Sequence, residues 1–270
     1  MRAVNRSSWP VWVGALAAFS GLMVWHRAPQ LSIAPSFVTG YILFALVVFL
    51  ALYSGRKRLS MLPVGKASVW LTLHLVGGAL ALALFWLHVE TIWPLGTADR
   101  ALAVLFYGVC LSGVVGYGLQ LWLPGRLAHA GREIIYERIP TEIATIRGQV
   151  EKEILEAAGE SGNDTLGREY LETLAWYFAQ PRFFWSNALG GRSAEHWLQR
   201  HLTTIGRYLT EAERVHLARI AELGAEKRRA DAQYAMQALL KRWTMFHVPL
   251  AVAMLTLAVW HLILVHVFAR

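Results

Sequence analysis

Charge is what this sequence has least of. Of its 270 residues only 16% are Asp, Glu, Lys or Arg, while 56% are hydrophobic; soluble domains carry about 25% charged and about 45–50% apolar residues. The shortage is uneven. Of the 44 charged residues, 33 lie between Arg126 and Arg242, 17 basic and 16 acidic, and long blocks elsewhere carry none. This excludes a soluble globular enzyme and a disordered chain, and leaves a multi-span membrane protein with one polar insertion. Cysteine is nearly absent too. The single Cys110 can form no intrachain disulfide and cannot by itself hold an iron–sulfur cluster, and there is no Cys-x-x-Cys-His haem attachment site. A basic domain is also missing. The net charge is +8, but the insertion contributes only +1 of it, so nothing in the chain is built to hold nucleic acid.

What is abundant is apolar sequence in span-length blocks. A bilayer-crossing helix needs about 20 mostly apolar residues. Five blocks approach or meet this: Trp9 to Trp25, Ile33 to Tyr53, Val69 to Val89, Ala101 to Leu123 and Trp243 to Phe268, all free of Asp, Glu, Lys and Arg. Trp9, Trp25, Trp70, Trp93, Trp122 and Trp243 cluster near their ends, as interfacial belts do. The first block, preceded by Arg2 and Arg6, also has the outline of a signal peptide. Trp25-His26-Arg27 follows it in place of a small-residue cleavage site, so a retained helix is expected. Arg2, Arg6, Arg56, Lys57, Arg58 and Lys66 fall on one side of a five-span arrangement. By the positive-inside rule the N-terminus and insertion are cytoplasmic and the C-terminus outside, in a bacterial inner membrane. The expected organisation is an N-terminal transmembrane helix (1–30), spans two to four (31–123), a helical cytoplasmic insertion (124–242) and a fifth span (243–270).

The insertion is expected to be helical. Ile139, Ile143, Ile146, Val150 and Ile154 recur at spacings of three and four, which makes one helix face apolar. That stripe suits either a hairpin folded on itself or a docking surface for a cytoplasmic partner. Ser161-Gly162-Asn163-Asp164 breaks the helix. A second helix is predicted over Leu166 to Ala179, with an irregular aromatic stretch from Pro181 to Gly191. Thr210 and Glu213 have capping-box spacing and open a long helix that runs into the fifth span. The insertion has no Walker loop, no dinucleotide-binding glycine pattern and no metal-ligand cluster.

Ionisable residues inside a membrane are costly and usually functional. Span three carries His74 and His88; span five carries His247 and His261, again 14 residues apart, and His266. Fourteen residues fall about 40° short of four full turns, so each pair shares a face, and the two members lie about 21 Å apart along the axis. Spans three and five run in the same direction, so the depths match: His74 with His247 toward the cytoplasm, His88 with His261 toward the outside. Two imidazoles facing each other at one depth can ligate one haem iron from both sides, and a second pair can hold a second haem.

This pattern resembles membrane dihaem b-type cytochromes, above all the cytochrome b subunit of quinol–cytochrome c reductases. The resemblance implies an all-α four-helix haem-binding bundle formed by spans two to five. It implies two non-covalent haem b groups, one on His74 and His247 and one on His88 and His261. It also implies small residues where the rings press close; Gly40 on span two and Gly108, Gly113 and Gly116 on span four are the candidates, with Ser54 and Gly118 as looser ones. The implied role is electron transfer across the membrane within a larger oxidoreductase. Its partners would be membrane lipid, a membrane quinone and an iron–sulfur or multihaem cytochrome subunit. The chain departs from that family in its extra first span and its long insertion. It also lacks the quinol-site Pro-Glu-Trp-Tyr tetrapeptide; Glu90-Thr91-Ile92-Trp93-Pro94 has similar residue types in another order.

Other residues carry secondary expectations. His26 and His266 could hold a third haem or be interfacial. His129, His196, His201 and His216 read as surface residues of the insertion. Glu90 could relay protons to a quinone. Arg56, Lys57, Arg58, Arg126, Lys241 and Arg242 could pair with haem propionates. Trp86 and Trp260 could pack on the outer ring. Two rivals stand beside the cytochrome: a haem-free transporter or channel with histidines on a proton or metal path, and a structural anchor that recruits a soluble partner.

Overall fold

The computed structural model describes residues 9–26, 35–56, 67–129 and 134–268. Arg2, Arg6, Arg27, Lys57, Arg58, Lys66 and Arg270, which carry much of the orientation argument, lie outside the described residues. Among the described residues every element is helical. They are α1 (Trp9–His26), α2 (Pro35–Arg56), α3 (Ala67–Val89), α4 (Thr97–His129), a 3-10 turn (Tyr136–Arg138), α5 (Ile139–Ser161), α6 (Thr165–Glu169), a π turn (Tyr170–Leu174), α7 (Ala175–Ala179), α8 (Phe184–Leu189), α9 (Ser193–Ile205) and α10 (Glu211–Phe268). The chain forms two compact units, one of Met1–Gly116 with Thr244–Arg270 and one of Tyr117–Trp243.

The first unit is apolar. Segments Ser36–Tyr53, Ala67–Val89 and Thr97–Leu123, and a stretch within α10, are long and apolar enough to cross a membrane. The apolar stretch of α1, Pro10–Val24, is shorter. Helices suit such sequence because each satisfies its own backbone polar groups without water. Helix α3 packs against both α1 and α2. At Gly77 a Cβ would come within 2.8 Å of Leu50 Cδ2, so the small residue lets the Leu50 side chain close on the α3 backbone. The core of this unit gathers Val47, Ala81, Phe85, Ala103, Phe106 and Met254, with Phe85 and Phe106 stacked at 4.4 Å. Ala81 lies seven residues from each histidine of α3, and Met254 seven from His247 and from His261. The two histidine-bearing helices thus meet at the level midway between their histidines.

The second unit is polar outside and aromatic within. Ile139, Ile143, Ile146, Val150 and Ile154 are all buried. The stripe is therefore spent on the unit's own core, against Tyr170, Leu174, Tyr177, Phe178, Leu198, Ile205 and Ile220 and, at its start, against Ala230. It offers no surface to a partner. Helix α5 ends at Gly162, whose φ of +66° lets its N–H reach the Ala158 carbonyl, the left-handed stop that glycine allows at little cost. The π turn brings Tyr170 and Leu174 into the same core. The stretch expected to be irregular after Pro181 contains α8, and α9, which no sequence signal marked, follows it. The capping box forms as expected: Thr210 N–H and Oγ1 both donate to Glu213 Oε2 at 2.9 and 2.8 Å, and Glu213 N–H donates to Thr210 Oγ1 at 3.4 Å. Helix α10 then continues for 58 residues through Pro249.

Two polar features fix the inside of this unit. The side chains of Lys227 and Asp231, fully buried, pair at 2.5 Å. The Lys227 ammonium also donates to the Gln180 carbonyl at 3.0 Å and sits over the Tyr177 ring at 4.1 Å. Burial pushes the Asp231 carboxyl up to about 6 against the pull of Lys227, and the same burial lowers Lys227. Gln233 and Gln237 clamp the backbone of Ile134, one accepting from its N–H at 2.7 Å and the other donating to its carbonyl at 2.8 Å.

Candidate functional site

The four paired histidines all lie in the apolar unit, and each meets a neighbouring helix. His88 of α3 turns to the start of α2, where its Nδ1 lies 3.0 Å from the Ser36 carbonyl and 3.3 Å from Thr39 Oγ1. The Thr39 hydroxyl donates to that same carbonyl at 3.1 Å. A carbonyl only accepts, so His88 Nδ1 carries the proton. His247 of α10 turns to α4, with Nδ1 2.7 Å from Ser112 Oγ. Ser112 gives its own proton to the Val109 carbonyl at 2.9 Å, so here too the histidine Nδ1–H is the donor. His261 of α10 pairs through Nδ1 with Asp99 Oδ1 at 3.1 Å, at the first turn of α4. Three of the four imidazoles are thus anchored through Nδ1, in the manner of the outer-partner hydrogen bonds that orient metal-binding histidines.

His74 differs. Its Nδ1 is buried and has no hydrogen-bond partner among the described residues. Its ring lies 4.9 Å from that of Tyr53 on α2, centroid to centroid. The ring also meets the backbone of Leu50 on the same helix α2. Helix α2 therefore flanks both histidines of α3, and helix α4 flanks both histidines of α10.

The inner pair has come together. The centroids of the His74 and His247 rings are 6.5 Å apart with planes at 77°. The outer pair is not in ring contact; His88 is within electrostatic range of His261 and Asp99. His261 also lines a cleft of about 130 Å³ with Ala98, Ala101, Leu102, Leu257, Trp260 and Leu264. That lining is apolar but for the histidine.

Two of the candidate glycines, Gly40 and Gly113, face these rings. A Cβ on Gly40 would stand 2.9 Å from His88 Cε1, and one on Gly113 would be 3.9 Å from His247 Cε1. The space at Gly40 is occupied by the His88 ring. A Cβ on Gly108 would meet Leu250 at 3.4 Å, and Gly118 faces open space. Gly116 is buried. The side chain of Ser54 lies outside the described residues.

The secondary candidates separate clearly. His266 has both nitrogens engaged, Nδ1 donating to the Leu262 carbonyl at 2.8 Å and Nε2 accepting from Tyr41 at 2.5 Å, so it keeps no nitrogen for iron; the side chain of its proposed partner His26 lies outside the described residues. Glu90 ends α3 at a φ of 58°, its N–H on the Trp86 carbonyl. The Trp86 indole donates to Tyr107, which donates to the Ile92 carbonyl; this tryptophan ties α3 to α4 and the intervening loop. Trp260 stays beside His261. Lys241 is spent on Glu137 and Arg242 on the Phe184 ring, while the side chains of Arg56, Arg126 and His129 are outside the described residues.

The sequence reading missed the anchors. Ser36, Thr39 and Ser112 are hydroxyls at histidine depth in apolar helices, next to candidate glycines, and that adjacency was the available signal. Among the described residues no three His, Cys, Asp or Glu side chains gather to hold a metal ion. His74 and His247 come together as a pair, and a pair of imidazoles is what a porphyrin, with four nitrogens of its own, asks of a protein. Comparison with family models, curated proteins and solved structures finds no match to this chain.

Proposed function

We propose that this chain is a dihaem b-type cytochrome, a five-span membrane subunit that carries electrons across the bacterial inner membrane within a larger oxidoreductase. His74 and His247 would hold the inner haem, and His88 and His261 the outer one. The observation that carries the reading is the tethering of His88, His247 and His261 through Nδ1 to an adjacent helix, together with the 6.5 Å separation of His74 and His247. Each haem, when bound, supplies an iron that takes up and gives back one electron.

The protein's own part is orientation and exclusion. Ser36 and Ser112 fix the azimuth of two imidazoles, so ligation costs little further ordering entropy. Gly40 and Gly113 let helix backbones approach the rings. Val47, Ala81 and Met254 close the core between the two levels and keep water from it. A membrane quinone is the small-molecule partner this reading favours, with an iron–sulfur or multihaem subunit outside. The insertion and N-terminus are assigned to the cytoplasm by the basic residues flanking the spans.

Single replacements of the four histidines by alanine test the assignment. Reduced-minus-oxidised spectra of the purified variants should each lose about half of the low-spin b-type signal, and His74→Ala should match His247→Ala in the band that disappears. Variants that keep the full signal while folded would defeat the ligand assignment.

A further inference from the structure

The three anchored histidines rest on chemically different partners. His88 donates to a backbone carbonyl, His247 to a neutral hydroxyl and His261 to a carboxylate. Only the last carries a full charge. Asp99 is placed for this by its surroundings. It sits in the first turn of α4, where the helix dipole favours an anion. A Cβ on Gly96 would fall 2.5 Å from Asp99 Oδ2, so the residue before the helix must be small for the carboxylate to hold this position. The neighbouring cation, Arg100, directs its Nε to the Pro94 carbonyl at 3.0 Å. The imidazole is therefore the group that Asp99 is placed to hold.

An anionic acceptor on Nδ1–H makes the imidazole a stronger electron donor through Nε2 and puts negative charge near the metal. Both effects favour the oxidised metal. Asp99 is half exposed, so water screens part of its charge, but the donation through the ring is not screened in that way. We infer that Asp99 is a positioning residue that holds His261 and lowers the reduction potential of the haem this histidine ligates, leaving the other haem untouched. The inference rests on the dihaem reading and adds to it a residue outside the ligand set.

Redox titration of the purified full-length protein, followed optically, tests it with Asp99→Asn and Asp99→Glu. In Asp99→Asn one midpoint should move to a more positive potential while the other stays, and the EPR signal of one low-spin haem should change with it. Asp99→Glu should move that midpoint back toward the wild-type value. Selective loss of one haem in Asp99→Asn, restored in Asp99→Glu, would support the same role. Two unchanged midpoints, two midpoints moving together or loss of both haems would overturn it while wild-type protein still held its two haems. Wild-type protein free of haem would remove the dihaem reading itself and the inference with it.

Discussion

The histidines of the two units meet different fates. In the polar unit His216 has a carboxylate on each nitrogen, Glu153 at 3.0 Å and Glu160 at 3.3 Å, and these partners raise its pKa. His201 donates to the Trp197 carbonyl and lies on that indole, 4.2 Å between ring centres. In the apolar unit His88 and His261 are bonded through Nδ1, and their Nε2 atoms make no hydrogen bond among the described residues. The lesson is one of cost. His216, with two carboxylates at hand, engages both of its nitrogens and is structural. In a bundle that could have been built from Leu and Val alone, half-used imidazoles are expensive, and the proposed ligation would repay them.

The largest predicted effect lies in the polar unit. Asp231→Ala strands a buried ammonium and should cost about 3–5 kcal/mol, whereas replacing Lys227 and Asp231 together by Met and Leu should cost far less; denaturant titration in detergent compares them. Gly40→Ala should come next. It drives a methyl into the His88 ring at a cost of about 1–3 kcal/mol, and should remove one haem and spare the other, as read by haem content. Ser112→Ala should cost about 1 kcal/mol, the net value of one hydrogen bond, and leave both haems bound with one spectrum shifted. The smallest effect is His216→Gln. The folded pKa of His216 is raised above the ordinary 6.5, so its stabilisation is full below 6.5 and fades as pH rises through the folded value. The variant should flatten the fall in melting temperature as pH rises above the ordinary 6.5 and keep its haem. Haem loss in His201→Ala or His216→Ala would break the contrast between the units.

Much of the fold was legible because long apolar blocks simplify the code. An apolar block free of charge becomes a helix, and the 14-residue interval between histidines places them by helix geometry alone. The capping box at Thr210 and the break at Gly162 are local chemistry and read correctly. The isoleucine stripe of α5 was legible as a face, but what covers it depends on contacts with Tyr170, Tyr177 and Leu198 that no local pattern encodes. Helix α9 escaped for a related reason: it is ordered by packing Leu198 and Ile205 into the same core. The anchors of the site depend on which helix lies beside which, so Ser112 meeting His247 across 135 positions is a tertiary fact.

The count of haem per chain in purified, folded wild-type protein tests the central claim most directly. Pyridine haemochrome analysis should return two haems b per polypeptide. A monodisperse, helical and colourless preparation, still colourless after incubation with haemin, would contradict it.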